Sequence, residues 1–184
     1  MREPTRKPTQ SGTPSRGNPD TCPVAATVAV LGDRWSILIL RDLLLGLRRF
    51  DELVKSLGIA TNILTNRLTR LTNEGLIFRQ AYQTSPTRHE YLPTKAGEDF
   101  RKVIISIGNW GVTWRPHLAG HTPMQYVNAA TGNPVMTKLI DTGTDTEIAA
   151  DDMVPAMTEW ADDITKWRFE TAEAHRERDQ ADET

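Results

Sequence analysis

RFDELVKSLGIATNILTNRLTRLTNEGLIFRQAYQTSPTRHEY, residues 49–91, is the stretch that decides the fold. Phe50, Leu53, Val54 and Leu57 recur at i, i+3, i+4 and i+7, the apolar stripe of a short helix. Gly58 breaks that helix, and Ile59-Ala60 leads into a second periodic segment whose Leu64, Leu68 and Leu71 share a face. At about 100° per residue the opposite face carries Asn62, Thr65, Asn66, Thr69 and Asn73, flanked by Arg70. Two helices joined by a short glycine-containing turn make a helix-turn-helix. The outward face holds amides, hydroxyls and arginine, with no carboxylate before Glu74. Amides and arginines match the donors and acceptors of major-groove base edges, whereas carboxylates repel phosphate. The segment therefore reads as a DNA-recognition helix; the alternative is a helical hairpin with an ordinary polar solvent face.

The next residues favour the first reading. Gly75 closes the helix. Residues 76–83 and 89–92 then read as two strands around an acid-free turn, Thr84-Ser85-Pro86-Thr87, followed by Arg88. A hairpin placed directly after a recognition helix is a wing. Its tip offers Ser85, Thr87 and Arg88 to phosphates or to a minor groove.

The net charge of −2 over 184 residues conceals an asymmetry. Residues 24–118 carry 13 basic and 8 acidic groups, and residues 119–184 carry 5 and 14. The basic block coincides with the winged segment, as an electrostatic footprint for DNA should. Residues 1–21, rich in Pro, Ser, Thr and Gly and lacking an apolar run, read as a disordered tail rather than a signal peptide. No apolar run approaches the ~18 residues of a membrane span. Cys22 is the only cysteine, so no disulfide forms within the chain, and a cytoplasmic location follows.

Outward from the central stretch, residues 24–31 read as a short apolar helix, and Asp33 as the N-cap of a second, RWSILILRDLLLG. That second helix is apolar nearly all round and is expected to be buried on all sides. Asp42 interrupts it and needs a partner, for which Arg48 and Arg49 are the candidates. Thr94 caps a long helix expected to run to Trp114, with Phe100, Val103, Ile104, Ile107, Gly111 and Trp114 at 3–4 spacing and Trp110 on the flank. No other element of the winged domain remains to cover that stripe, so a dimer interface is the economical explanation. Residues 124–149 suggest a small antiparallel β unit, and Met153-Val154-Pro155 the start of a last helix bearing Met157, Trp160, Ile164 and Trp167.

Together, the landmarks CPV, GDRW, ILRDLL-G-RRF, L-GIA, LTNRLTRL-NEGLI-R, P-R-EY and T-AG resemble, in their order, the HxlR-type transcriptional regulators, winged-helix proteins related to the MarR group. The resemblance spans residues 22–114. It implies a homodimeric regulator of a nearby operon, binding double-stranded DNA through the face of residues 61–70, led by Thr61, and through the wing around Arg88. It also implies dimerisation through the long helix together with the first one. Two-fold symmetry then sets two half-sites about 34–36 Å apart. Many relatives have serine where this chain has Ala60, and Thr61 is the alternative cap. Redox-sensing members keep a reactive cysteine at the position of Cys22.

The expected architecture is thus mainly α with a small β wing: a winged helix-turn-helix domain over residues 22–118, its long dimerisation helix, and a β/α extension over residues 119–184. Trp110, Trp114, Trp160 and Trp167 are candidates for a pocket taking a small aromatic effector, and Cys22 for reaction with an electrophilic one. The histidines (His89, His117, His121 and His175) are scattered, and no cofactor or metal is implied. No nucleophile–base pair, carboxylate pair or phosphate loop appears at usable spacing, so an enzyme is the weakest option. A winged-helix protein-interaction module without DNA binding is the main alternative, favoured by the acidic C-terminal region.

Overall fold

The computed structural model describes residues 21–115, 117 and 120–182. Apart from Thr21, the N-terminal tail of the sequence analysis lies outside them. The elements are α1 (Pro23–Leu31), α2 (Arg34–Leu45), α3 (Phe50–Leu57), α4 (Thr61–Asn73), β1 (Ile77–Thr84), β2 (Thr87–Pro93), α5 (Lys95–Asp99), α6 (Arg101–Trp114), β3 (Leu139–Asp141), β4 (Thr146–Ile148) and α7 (Asp163–Asp182). The chain is mainly helical, and β1–β2 and β3–β4 are separate antiparallel hairpins. The described residues form two compact units, one within residues 28–152 and one made of residues 21–27 with 153–182.

In the larger unit α2 is the centre. Ile39, Leu40, Leu43 and Leu44 are buried against Leu53 of α3, Leu64, Leu68 and Leu71 of α4, Ile77 of β1, and Phe100 and Ile104. Each fully buried leucine or isoleucine contributes about 1.5–3 kcal/mol, so this cluster holds the helix-turn-helix rigid. Gly58, at φ 59°, turns the chain between α3 and α4 in a left-handed conformation that costs glycine nothing, and buried Ile59 pins the turn to the core. The start of α3 is fixed by Glu52, whose carboxylate accepts from the Arg48 and Arg49 amides at 2.8 and 2.9 Å. Those two hydrogen bonds hold its pKa below the usual carboxylate value.

Asp33 caps α2 as its sequence position implies. Its Oδ1 accepts from the Trp35 and Ser36 amides at 2.9 and 3.1 Å, and its Oδ2 from the Ser36 hydroxyl at 2.6 Å. The Arg67 side chain of α4 lies 2.9 Å from the same Oδ1. This contact is ionic, since the Arg67 Nε–H is not aligned as a hydrogen bond. Burial pushes the Asp33 pKa up, but the Ser36 contacts, Arg67 and the Trp35 amide together bring it below the ordinary aspartate value. A depressed folded pKa means stabilisation that is complete at neutral pH and lost as pH falls through that value. Asp33→Ala is therefore expected to lower stability by about 0.5–2 kcal/mol at pH 7, the worth of an N-cap. The gap to the unmodified protein should close below about pH 4 in urea titrations at stepped pH; a pH-independent gap contradicts the assignment.

Four sequence expectations are corrected. Helix α2 is not buried on all sides: Ile37 and Leu38 are only half-buried and Leu45 is exposed, because one side of the helix, Ile39, Leu40, Leu43 and Leu44, makes the core contacts. Buried Asp42 pairs with its neighbour Arg41, at 2.7 Å, rather than with Arg48 or Arg49. Arg48 instead lies 4.0 Å from Glu90, and its carbonyl accepts from the Tyr91 amide at 2.8 Å. The helix after Thr94 is interrupted at Phe100, which ends α5, leaving α6 to carry the exposed Val103, Ile107, Trp110 and Trp114. The last helix starts at Asp163, not at Met153, because the acceptor that caps it is Asp162, whose Oδ1 accepts from the Thr165 amide at 2.9 Å. Trp160 precedes that cap and is exposed.

The wing follows α4 directly. β1 and β2 pair antiparallel from Ile77↔Pro93 to Thr84↔Thr87, with an irregularity around Tyr82. A bridge between Arg49 and Glu90 adds the segment before α3 to its edge. At the base of the wing Thr94 donates its hydroxyl to the Gly75 carbonyl at 2.6 Å and caps α5. Beyond α6, Val127 bridges Pro134 and β3 pairs with β4, the small β unit expected there. Among the described residues no single helix is long and apolar enough to cross a membrane.

Candidate nucleic-acid interface

The surface begins with α4, because its three leucines leave it only one way to lie. Leu64, Leu68 and Leu71 are at most 1% exposed, so the opposite ridge must face solvent. Thr61, Asn62, Thr65, Asn66, Thr69 and Asn73 are all exposed there. Thr65 turns its hydroxyl back to the Thr61 carbonyl at 2.8 Å, and the Asn62 Oδ1 accepts from the Ile63 amide at 2.9 Å. Asn66 and Thr69 make no such local bond among the described residues, which leaves their full hydrogen-bonding capacity facing outward.

Arg70 departs from the expected reading face. Its guanidinium donates to the Ala29 carbonyl of α1, so it ties the recognition helix to the first helix instead of pointing outward with the asparagines. Arg67, absent from the expected reading face, is committed to Asp33. Both lie on one flank of α4. Arg67 stands three residues after Leu64 and four before Leu71, and a cation bordering an apolar stripe has to find an anion inside the fold. That spacing was the available signal.

The N-terminus of α4 has Ala60 as its cap residue, which offers no side-chain acceptor, and Thr61 does not fill the role. With the Ile63 amide taken by Asn62, the Thr61 and Asn62 amides are the ones left able to take a phosphate oxygen, the use to which helix N-termini are suited. Ala60→Ser is expected to add roughly 0.5–1 kcal/mol of stability, read as a rise in thermal midpoint, because serine supplies the missing acceptor. An unchanged midpoint means the α4 amides already have partners.

Ser85, Thr87 and Arg88 stand exposed at the wing tip. The turn is closed by Thr87 donating to the Thr84 carbonyl at 3.2 Å and by Gln83 donating to the Ser85 carbonyl at 3.0 Å. Further down, the Arg79 guanidinium lies 2.8 Å from His89 Nδ1, and the Arg49 guanidinium lies 4.9 Å from the centre of the Tyr82 ring. These cations prolong the basic surface of the wing; the sequence offers Arg49 only as a partner for Asp42 and does not mark Arg79.

Trp110, Trp114, Trp160 and Trp167 are all exposed, two in each compact unit. Cys22 is half-buried, with its Sγ 3.5 Å from the Ala25 amide nitrogen. Among the described residues no group of three His, Cys, Asp or Glu side chains converges as a metal site.

An exposed amide ridge on the second helix of a helix-turn-helix, followed by a basic hairpin, defines the winged-helix class of transcriptional regulators. The comparisons agree. The model of the HxlR-like helix-turn-helix family matches residues 30–119. An uncharacterized HTH-type transcriptional regulator of Mycobacterium tuberculosis is 36% identical over 132 residues, covering 72% of this chain and 83% of the relative. One from Synechocystis is 39% identical over 94 residues, covering 50% and 70%. Among solved structures, a candidate transcription factor, PA1607, superposes with a TM-score of 0.67 at 33% identity, covering 75% of this chain and 96% of that one. Another, PA1374 of Pseudomonas aeruginosa, gives 0.56 at 37%, covering 80% and 99%. The chain belongs to the HxlR-like helix-turn-helix family and is a transcriptional regulator of helix-turn-helix type.

Proposed function

We propose that this regulator binds double-stranded DNA sequence-specifically as a cytoplasmic homodimer on a pseudopalindromic operator. The observation that carries the reading is the carboxylate-free ridge of α4: Asn62, Thr65, Asn66 and Thr69 exposed together, above leucines that fix their direction. In this reading Asn66 and Asn62 read base edges in the major groove. The Thr61 hydroxyl and the open amides of Thr61 and Asn62 grip phosphate. Ser85, Thr87 and Arg88 follow the backbone or the adjacent minor groove. Arg70 holds the helix in place rather than reading a base.

The homodimer is supported by α6, which leaves Val103, Ile107, Trp110 and Trp114 exposed. A second α6 would cover such a face, placing two α4 ridges one helical turn of DNA apart, about 34–36 Å. Footprinting the purified protein on its own upstream DNA, beside its sedimentation, tests both parts. The expected result is a dimer protecting two half-sites with that spacing; a monomer, or protection without a repeated half-site, overturns the dimeric arrangement. Cys22 is retained as a site of reaction with electrophiles. Alkylating it should change operator affinity, and an affinity equal to that of the untreated protein rejects the role.

A further inference from the structure

The larger unit carries a groove that lies away from the α4 ridge and contains none of the tryptophans. Its volume is about 800 Å³. Ile37 and Leu38 of α2, Ile104 and Ile107 of α6, and Met124 and Val135 of the segment after α6 form its apolar walls. That size falls within the ~300–1,000 Å³ of sites for drug-sized ligands. Among the described residues no Asp or Glu lines it, and the single charged side chain is Arg41.

Arg41 is held there by design of the fold. Its Nε and Nη2 both meet Oδ1 of buried Asp42, at 2.8 and 2.7 Å, which fixes the guanidinium plane while leaving Nη1 without a partner among the described residues. Tyr126 lines the same groove, and among the described residues its buried hydroxyl has no hydrogen-bond partner, as is also true of Oδ2 of Asp42. Buried polar groups are nearly always satisfied, so an orphan hydroxyl on a residue that lines the same groove as a fixed cation points to a bound acceptor. Gly108 supplies a separate argument. It sits inside α6, where glycine costs about 1 kcal/mol relative to alanine, yet a Cβ there would meet nothing within 4 Å. No neighbour in the fold demands that glycine. Its effect is to keep this side of the groove open.

We propose that the groove binds an apolar organic carboxylate, its hydrocarbon body between α2 and α6 and its carboxylate on Arg41. As an effector site this deepens the regulator reading and rests on it. The route is short: α2 lines the groove with Ile37, Leu38 and Arg41, and the residue that caps α2, Asp33, grips Arg67 of the recognition helix.

The test is made on the full chain without DNA. 2-Naphthoate is used as the probe ligand and displacement of 8-anilinonaphthalene-1-sulfonate fluorescence as the readout. Saturable displacement by 2-naphthoate is expected, with 2-naphthylmethylamine at least ~10-fold weaker because its charge is wrong for Arg41. Gly108→Phe and Val135→Phe, which plug the groove from opposite walls, should abolish displacement while keeping the thermal midpoint. Arg41→Lys, which retains the ion pair with Asp42 but loses the planar fork, should weaken 2-naphthoate ~10-fold. The proposal is overturned if the amine binds as well as the carboxylate, or if both folded plugs still take up 2-naphthoate. It is also overturned if the plugs turn a dimer into a monomer, which assigns the groove to a second copy. Operator binding without 2-naphthoate uptake removes the groove and leaves the DNA reading standing; uptake without operator binding does the reverse.

Discussion

Gly97→Ala is expected to lower the stability of the larger unit by about 3 kcal/mol, at the upper end for overpacking. A Cβ at residue 97 would lie 2.1 Å from the Leu76 carbonyl oxygen and 3.2 Å from its carbon. Those are backbone atoms at the junction of α4 and the wing. The same carbonyl accepts from the Thr94 amide at 3.0 Å, so it cannot retreat without uncoupling the wing from α5. Gly108→Ala is the internal control. It places a methyl group in open space within a helix and should stabilise by up to about 1 kcal/mol. Urea unfolding of the two variants should therefore move the midpoint in opposite directions at unchanged m. Equal shifts of one sign would show that helix propensity, not the Leu76 contact, governs residue 97.

The second large effect concerns the ridge itself. Asn66→Asp changes one atom's identity and one charge on an exposed position of α4. It is expected to cost about 1–3 kcal/mol of operator affinity, because a base-edge donor is lost and a carboxylate faces the phosphates, while folding stability stays within about 0.5 kcal/mol. Arg88→Ala should behave differently: weaker binding to operator and unrelated DNA alike, with the salt slope reduced by about 1. Anisotropy titrations of both variants on operator and scrambled duplexes separate the roles. If Asn66→Asp weakens both duplexes equally, Asn66 is not reading a base.

The winged helix was legible because its signals are local and redundant. Leu64, Leu68 and Leu71 set the orientation of α4, Gly58 and Gly75 bound its turns, and the run from Thr84 to Thr87 marked the hairpin. What escaped depends on elements distant in sequence. Arg70 sits at the edge of the ridge on a helical wheel, yet a carbonyl 41 residues away takes its guanidinium. Asp42 found its partner next door because Arg48 and Arg49 were engaged by the wing. Apolar spacing suggests an earlier start for α7, whereas the capping carboxylate of Asp162 decides it. The groove was invisible for the same reason. Its walls come from residues 37–41, 104–113 and 122–137, and only the tertiary fold brings them together.

The most direct test of the account is the affinity of the full chain for a duplex carrying its own upstream sequence, measured by anisotropy at stepped salt. The account predicts that log K falls linearly with log salt, at a slope of about −0.9 per phosphate contacted, and that the footprinted sequence is preferred at every salt concentration. An affinity indifferent to salt, or no preference for that sequence over a scrambled duplex, would contradict it.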